Sequence, residues 1–283
     1  MWIPANCNAL TSIAIFKNES RNARRWGPST LCFMKLSTKK SSSKFGKSEE
    51  DRMLINVKAF SSFSNCQNYI QTLCPEWNTD DLCDMFSTLE IQNTTTYADD
   101  QSLKTDIQNV MDNCEDSAPR NENYIDKLVE TMLRQSGFDS NLFCLGRPKR
   151  KNLVVGDDSF SSNADVHVVC KHDNNVILVV ENKHANSTTY KAGELQLICH
   201  MLASIQNNSA TQRHIWGIRV HSCKVYFYFV HCDDVYLLNL KLGKINTSIN
   251  VARFPCDSRG LSLQYRRERI EIFKILASIK SSF

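Results

Sequence analysis

The sequence has no apolar run that approaches the length of a membrane span, and residues 1–7 lack the charged-then-apolar layout of a secretory signal. Its twelve cysteines form no C-x-x-C pair and show no zinc-ligand spacing. Cys170 and Cys199 lie within apolar patterns, where a free thiol behaves as a small hydrophobic side chain. These absences exclude a membrane-spanning protein and a disulfide framework. We expect an intracellular protein with reduced cysteines.

The chain does have enough apolar sequence for one substantial core. Of its 283 residues, 42% are hydrophobic and 23% are charged, and its formal net charge is +4. This mildly basic balance permits nucleic-acid binding without demonstrating it. Composition shifts predict a basic extension over residues 1–60, a helical segment with a linker over 61–119, and an α/β domain over 120–283.

The net positive charge of the basic extension is larger than that of the whole chain. Residues 1–47 contain nine lysines and arginines and one acid, a balance of +8. With a low-complexity stretch at 38–48, this composition predicts a partly disordered arm that holds phosphates, and an organellar transit peptide is the alternative. In the helical segment, apolar spacing predicts short helices at 64–73 and 79–89.

The strongest pattern is a predicted β-hairpin formed by residues 165–170 and 176–183. Both segments are rich in β-branched residues, and a turn rich in Asp and Asn connects them. Side chains of a strand alternate between its two faces, so Glu181 and Lys183 end a face that begins apolar. Two charged side chains therefore stand where this strand leaves the core.

The register of this hairpin decides whether Asp165 joins them. A loop at 173–175 places Asp165 opposite Lys183, and a loop at 172–174 places it opposite Glu181. Either loop brings the three side chains onto one face, and Asn suits the left-handed conformation that such loops need. A two-residue loop turns Asp165 away, because a one-residue slip moves every side chain to the other face.

Two carboxylates beside an ammonium group suit metal-assisted hydrolysis. Hard carboxylate oxygens bind Mg²⁺, which keeps several waters and takes phosphate oxygens as its other ligands. The ion lowers the pKa of a bound water, while a lysine orients that water or holds a phosphate as a point charge. We therefore interpret Asp165 and Glu181 as metal ligands and Lys183 as the third catalytic group.

The combination of Asp165 with Glu181-Asn182-Lys183 resembles the motif of the PD-(D/E)XK nuclease superfamily, the restriction-endonuclease-like fold. In that motif an acid begins one core strand and D/E-x-K ends the next, and here Ala164 stands in place of the proline. The resemblance implies an αβββαβ core with a central mixed sheet flanked by helices. It also implies a Mg²⁺-dependent nuclease in which Mn²⁺ can substitute. A nuclease-fold module that binds nucleic acid or another partner without turnover is the alternative.

A helix predicted over residues 122–135 precedes these strands. In the superfamily this first helix often carries an acid that supports the metal, and we assign that role to Glu122 with Asp126 as the reserve; a solvated helix face is the alternative for both. By the helical period, Glu122 lies nearest the centre of the apolar face and Glu130 lies furthest from it. We therefore expect Glu130 to point to solvent.

Residues 188–206 predict a helix that is apolar nearly all round, as expected for a helix that covers a sheet. Within it, Gln196 and His200 resemble the Q-x-x-x-Y element of exonuclease-like branches of the superfamily, with His200 at the tyrosine position. The resemblance implies that Gln196 positions a water or a phosphate, and a buried packing amide is the alternative. Glu194 lies nearer the strongly apolar face of this helix.

A basic run ahead of the hairpin supplies candidate nucleic-acid contacts. Arg147, Lys149, Arg150 and Lys151 flank one proline and form a stiff loop. Such a loop holds phosphates or acts as a nuclear-import signal, and a solvated connector is the alternative. We assign the four cations to nucleic-acid binding, with DNA favoured over RNA. A nuclear location is favoured over a cytoplasmic one, and a mitochondrial one stays open.

The run Glu-Leu-Gln-Leu with the later Trp-Gly-Ile-Arg strand also resembles the nuclease-type domains of Crinkler effectors and related eukaryotic proteins. The N-terminal translocation motif of those effectors is absent, so effector biology does not follow, although delivery into a host is not excluded. Nothing predicts the oligomeric state. The remaining patterns predict strands over 214–220, 224–230 and 235–240, and a helix over 261–279 with Arg266, Arg267 and Arg269 on its solvated face.

Overall fold

The computed structural model describes residues 38–41, 47–75, 94–114, 122–146, 150–184 and 190–283. The strands are β1 (Thr38–Ser41), β2 (Ile55–Ala59), β3 (Phe143–Gly146), β4 (Lys151–Val155), β5 (Asp158–Ser162), β6 (Val166–Cys170), β7 (Val176–Lys183), β8 (His214–His221), β9 (Lys224–His231), β10 (Ile249–Phe254) and β11 (Leu261–Ser262). The helices are α1 (Lys47–Arg52), α2 (Phe63–Leu73), α3 (Gln101–Asp112), α4 (Asn123–Gln135), α5 (Tyr190–Asn207), α6 (Asp234–Leu242) and α7 (Arg266–Ser281).

A mixed β-sheet forms the centre of the fold. Its strands are ordered β2-β10-β9-β8-β7-β6-β3, and the short β11 pairs with β9 outside this path. β6 and β7 are antiparallel, while β7 and β8 are parallel and are connected through α5. β7 and β8 are apolar along most of their length because both faces of the sheet are covered. The predicted α/β class, with a mixed sheet flanked by helices, is confirmed.

Two apolar clusters lie on the two faces of this sheet. On one face, α2, α3, α4 and α7 pack against the strands around the fully buried Leu128 and Ile272. On the other face, α5, α6 and a second, smaller sheet pack around Val179 and Tyr228. The helices of the predicted 61–119 segment that the structure describes therefore share a core with the α/β domain.

The smaller sheet is an addition to the predicted core, with strand order β1-β5-β4. The sequence predicted three strands between α4 and α5, and the structure has five. β3, β6 and β7 belong to the central sheet, while β4 and β5 form a hairpin in the smaller one. α5 packs against β4 and also against β7 and β8, so it fills the space between the two sheets.

The predicted extension over residues 1–60 ends earlier than expected. β1 pairs in parallel with β5, and β2 pairs in parallel with β10 at the edge of the central sheet. Arg52 anchors this region through Asp158 Oδ2 at 2.5 Å and the carbonyl oxygen of Val155 at 2.6 Å. Short strands form here despite the basic composition, because their partner strands supply the hydrogen bonds. Residues 1–37 lie outside the described part of the chain.

Two predictions about helices have different outcomes. α2 confirms the helix predicted at 64–73, and the helix predicted at 79–89 lies outside the described residues.

The nine cysteines within the described ranges are all free. No helix in that part of the chain is long and apolar enough to cross a membrane.

The strand predicted at 235–240 is wrong, because this segment forms the middle of α6. The carboxylate of Asp233 accepts a hydrogen bond from the N–H of Tyr236 at 2.6 Å and caps the helix. Gly243 follows its last residue with a left-handed φ of 66°, which suits a helix end. The spacing of the apolar residues in this segment fits a strand as well as a helix. The capping residues Asp233 and Gly243 favour the helix.

The helix predicted over 261–279 begins only at Arg266, because Leu261–Ser262 forms β11. The solvated position predicted for Arg269 is wrong. Arg269 is 7% exposed, and its guanidinium donates hydrogen bonds to three backbone carbonyl oxygens. Arg266 does lie at the surface, where it pairs with Asp99 at 2.7 Å.

Asp106 joins α3 to α4, which suggests a test of whether α3 belongs to the cooperative core. Its buried carboxylate accepts a hydrogen bond from Thr131 Oγ1 at 2.7 Å and lies 3.0 Å from Lys127 Nζ. We expect Asp106→Ala to lower the free energy of unfolding in urea by about 1–3 kcal/mol, because a partly buried donor loses its acceptor. Asp112→Ala, at an exposed position of the same helix, is the control. Equal losses in both variants contradict this role for Asp106.

Candidate active site

The register of β6 and β7 brings Asp165 to Glu181. Val166 pairs with Val180, so Asp165 stands opposite Glu181 where the hairpin leaves the sheet. The N–H of Asp165 donates to the carbonyl oxygen of Val180 at 3.1 Å and continues the ladder by one residue. This is one of the two registers that the sequence allowed.

The hairpin reaches this register through a longer turn than the predicted one. The N–H of Cys170 donates to the carbonyl oxygen of Asn175 at 2.9 Å, which leaves four residues in the loop. Asn174 has the predicted left-handed conformation, with a φ of 59°. A β-bulge between Val168 and Val169 then shifts the pairing by one residue. The bulge offsets the extra loop residue. Next to Asp165 and Glu181 the pairing is therefore the one predicted for a three-residue loop at 172–174.

Asp165 lies in surroundings that oppose its negative charge. Its Oδ2 accepts a hydrogen bond from the backbone N–H of Asn182 at 2.6 Å. Burial and the nearby Glu181 carboxylate nevertheless raise the pKa of Asp165 to about 7. Lys183 acts against this rise in pKa, and Asp126 adds to it. A positive ion beside Asp165 would relieve the repulsion between the carboxylates.

Glu181 is fully buried between two nitrogen-bearing side chains. Its Oε1 lies 2.5 Å from Nζ of Lys183, and its Oε2 lies 3.0 Å from Nε2 of His200 on α5. Burial alone would raise the pKa of Glu181, but His200 and Lys183 together hold this pKa below its ordinary value. The N–H of His200 does not point straight at the carboxylate.

Lys183 follows on the same face of β7 and is mostly buried. Burial alone would lower the pKa of its ammonium group, but Glu181, Asp165 and Glu122 outweigh burial and raise the pKa above its ordinary value. Lys183 is therefore positively charged at neutral pH. The three side chains at the end of this hairpin thus comprise two carboxylates and one ammonium group in mutual electrostatic contact.

Of the two acids considered on α4, Asp126 is the one that contacts the hairpin. Its Oδ1 accepts a hydrogen bond from the side-chain amide of Asn182 at 3.0 Å. Glu122 is exposed just before the helix, about 6 Å further along its axis by the helical rise, and acts on the site through its charge. Glu130, predicted to point to solvent, is half-buried and lines a small surface depression with Asp126 and Asp165.

Glu194 and Gln196, both on α5, lie in different environments. Glu194 is buried, and its Oε1 accepts hydrogen bonds from Tyr228 Oη at 3.1 Å and Arg253 Nη1 at 2.9 Å. Gln196 is half-buried and stands one helical turn before His200, on the same side of α5. Glu194 therefore belongs to the packing between α5 and the sheet, and Gln196 lies on the side of α5 that reaches Glu181.

Two of the four predicted nucleic-acid contacts can be placed. Arg147 and Lys149 lie outside the described residues, whereas Arg150 is exposed and donates to Ser161 Oγ at 2.5 Å. Lys151 begins β4 opposite Ser162, and burial lowers the pKa of its ammonium group to about 8. The basic run was expected to connect two strands of the sheet that carries Asp165, but it lies between β3 of the central sheet and β4 of the smaller sheet.

Sequence reasoning missed Arg219, a fully buried residue of β8 that is the Cα partner of Glu181. Its guanidinium lies against Gly193 of α5, where a Cβ atom would stand 2.8 Å from Nε. The missing side chain of Gly193 therefore makes room for the guanidinium. The signal in the sequence was a single positive charge in the middle of an apolar strand.

Asp165 and Glu181 fit a divalent cation by their chemistry. They present carboxylate oxygens whose mutual repulsion appears in the raised pKa of Asp165. Among the residues that the structure describes, no three His, Cys, Asp or Glu side chains are grouped to hold a metal ion. Mg²⁺ keeps several waters and takes phosphate oxygens, so two carboxylates can hold it together with water and substrate. Each carboxylate also has lone pairs beyond those used in its contacts to Asn182, Lys183 and His200.

A scan against protein-family models and a search of curated proteins find no match for this chain. The assignment of a function therefore depends on the arrangement of Asp165, Glu181 and Lys183.

Asp165→Asn tests the repulsion between the two acids in the metal-free protein. The folded-state pKa of about 7 lies above the unfolded value of about 4, so stability that is present below pH 4 is lost as the pH rises through 7. Asparagine does not ionise. We expect Asp165→Asn in EDTA to exceed the wild type in unfolding free energy by about 1–3 kcal/mol at pH 8, and by less at pH 5.

Urea unfolding at the two pH values measures this difference. Asp112→Asn, at an exposed position, is the matched control and should leave the unfolding free energy within about 0.5 kcal/mol of the wild type. A variant at position 165 that is less stable than the wild type at pH 8 contradicts the electrostatic account.

Proposed function

We propose that this chain is a Mg²⁺-dependent nuclease of the PD-(D/E)XK kind that hydrolyses phosphodiester bonds. The observation that carries the proposal is the meeting of Asp165, Glu181 and Lys183 at one end of the β6–β7 hairpin. Two carboxylates in mutual repulsion with an ammonium beside them suit a divalent cation and a phosphate oxygen. A surface ion pair would not bury Glu181 completely.

The order of the central strands supports a restriction-endonuclease-like core as part of this proposal. α4 precedes β3, the sheet continues β3-β6-β7-β8, and α5 connects the parallel pair β7 and β8. The resemblance implies this αβββαβ order, and the β4–β5 hairpin is an insertion between β3 and β6. β9, β10 and β2 then extend the sheet on the side away from the site.

In the proposed reaction, Asp165 and Glu181 hold Mg²⁺, with Mn²⁺ as a substitute. When bound, the ion supplies an acidified water and neutralises charge on the phosphate. Lys183 contacts a phosphate oxygen or orients the attacking water, and Glu181 keeps this lysine charged.

Supporting residues keep these groups in place. Asn182 links Asp126 to Asp165, because its side chain donates to the first and its backbone N–H to the second. Gln196 positions a water or a phosphate through its amide, and Glu122 adds negative charge near the lysine.

We propose DNA as the substrate, reached through cations next to the smaller sheet. Arg150 and Lys151 stand at the start of β4, and the Cα partner of Lys151 is Ser162, whose hydroxyl contacts His200 beside Glu181. Lys and Arg contacts to phosphates position a nucleic acid without reading its sequence. A nuclear location, which gives access to chromosomal DNA, is part of the same proposal.

Glu181→Gln and Lys183→Ala separate metal binding from turnover. Glu181→Gln removes an anionic ligand, so Mg²⁺ affinity should fall, and added Mg²⁺ should restore part of the activity by mass action. Lys183→Ala removes a cation that repels the metal, so binding of the ion should persist while single-turnover cleavage falls ~10²-fold or more. Labelled linear, circular and single-stranded DNA and RNA, with and without Mg²⁺, provide the measurement.

Lys241→Ala, which removes an exposed lysine in the last turn of α6, is the control for charge and should cleave at the wild-type rate. Metal-dependent cleavage that is unchanged in both site variants places the chemistry elsewhere. Absence of cleavage on every substrate, with nucleic-acid binding retained, points to a binding module without turnover.

Removal of residues 1–37 tests the basic extension without touching β1. This segment contains five basic residues and one acid, and its phosphate contacts are expected to be salt-dependent. We expect weaker DNA binding with a shallower salt slope and metal-dependent cleavage that persists at high enzyme concentration. An unchanged affinity and slope indicate a targeting segment instead.

A further inference from the structure

We propose that His200 and Ser162 are positioning residues that fix the orientation of the Glu181 carboxylate. The inference rests on the proposed function, in which Glu181 is a metal ligand. Ser162 Oγ lies 2.7 Å from Nδ1 of His200, and Nε2 of His200 lies 3.0 Å from Oε2 of Glu181. The three side chains thus form one chain of contacts from the smaller sheet, through α5, to the end of β7.

The direction of the hydrogen atoms follows from the chemistry of the three groups. An ionised carboxylate only accepts hydrogen bonds, so Nε2 of His200 carries the hydrogen that faces Glu181. In the neutral imidazole, Nδ1 is then the acceptor, and the hydroxyl of Ser162 is its donor. Ser162 thereby selects the tautomer of His200 that presents an N–H to Glu181.

Burial makes each contact in this arrangement costly to lose. Glu181 and His200 are 0% exposed and Ser162 is 2% exposed, so water does not replace a lost partner at any of the three. Helix α5 has apolar residues on nearly every side, and His200 is a polar exception within it. A leucine would fill this position without a hydrogen-bonding requirement, so packing alone gives no reason for an imidazole.

The consequence for Glu181 is a carboxylate held at both oxygens. Nζ of Lys183 lies 2.5 Å from Oε1, and Nε2 of His200 lies 3.0 Å from Oε2 on the side of α5. The remaining lone pairs then face a constant direction, which is what a ligand in a pre-formed site requires. Without His200, both oxygens are free to turn toward Lys183, and the carboxylate and the ammonium neutralise each other.

The contact also gives the smaller sheet a part in the reaction. Ser162 ends β5, the middle strand of that sheet, and the hairpin that carries it is an insertion in the core. Because Ser162 contacts His200 and His200 contacts Glu181, β5 acts on the Glu181 carboxylate through His200.

Four variants test the inference with the full-length protein and Mn²⁺ as the probe. His200→Leu removes the donor to Glu181, and His200→Gln keeps an N–H of similar reach. Ser162→Ala removes only the group that selects the tautomer. Ser204→Ala is the matched control, because Ser204 is a fully buried serine one turn further along α5 whose hydroxyl forms no hydrogen bond with the described residues.

We expect Mn²⁺ affinity to fall about 10–100-fold in His200→Leu, the range seen when a partner of a metal ligand is lost. His200→Gln should recover most of that loss, Ser162→Ala should show a smaller loss, and Ser204→Ala should match the wild type. Calorimetry measures the affinities, and urea unfolding of the metal-free variants measures stability separately. A purely structural role predicts losses of stability that Mn²⁺ affinity does not follow.

Long-range ¹H–¹⁵N spectra of the metal-free protein, with His200→Leu used to assign the signal, give a second readout. We expect a hydrogen on Nε2 of His200 and a change at Nδ1 in Ser162→Ala. The opposite tautomer, or wild-type Mn²⁺ affinity in His200→Leu, overturns the positioning role alone. A wild-type protein that binds no Mn²⁺ overturns the proposed function and, with it, this inference.

Discussion

Pairing of β6 with β7 in a single register is the constraint on which the site depends. A shift of one residue would carry Asp165 to the face opposite Glu181 and separate the two acids. Such a shift would also carry the buried Glu181 carboxylate to the other face of the sheet, away from its contact with His200, at a cost in stability. The bulge between Val168 and Val169 absorbs the extra residue of the turn before it reaches the acids.

The same register gathers charge where the rest of the fold is apolar. Glu181 and Arg219 are neighbours on adjacent strands, and both are fully buried. Apolar residues of similar volume often serve stability as well as buried ion pairs or better, so stability does not account for these charges. A local departure from an otherwise consistent core is the kind of feature expected at a functional site.

Patterns in the sequence predicted the elements whose periodicity is unambiguous, including the hairpin strands, α4 and α5. They failed at 235–240, where one apolar pattern fits a strand or a helix and the flanking caps decide. At the site, alternation along the strands predicted that the acids and Lys183 share a face. Position along the axis of α4, which a helical wheel omits, separates Asp126 from Glu122. The charge of Arg219 stands out within the apolar strand β8, but room for its guanidinium comes from Gly193 on another element, so the sequence of β8 alone did not predict its burial.

The parallel pairing of β2 with β10 has a consequence for how the chain reaches its fold. Their paired residues, such as Asn56 and Asn250, are 194 positions apart in sequence. At synthesis rates of 5–20 residues per second, β2 leaves the ribosome roughly 10–40 s before its partner strand exists. During that interval β2 lacks the strand that pairs with it in the folded protein. This edge of the central sheet therefore closes only after most of the chain has been synthesised.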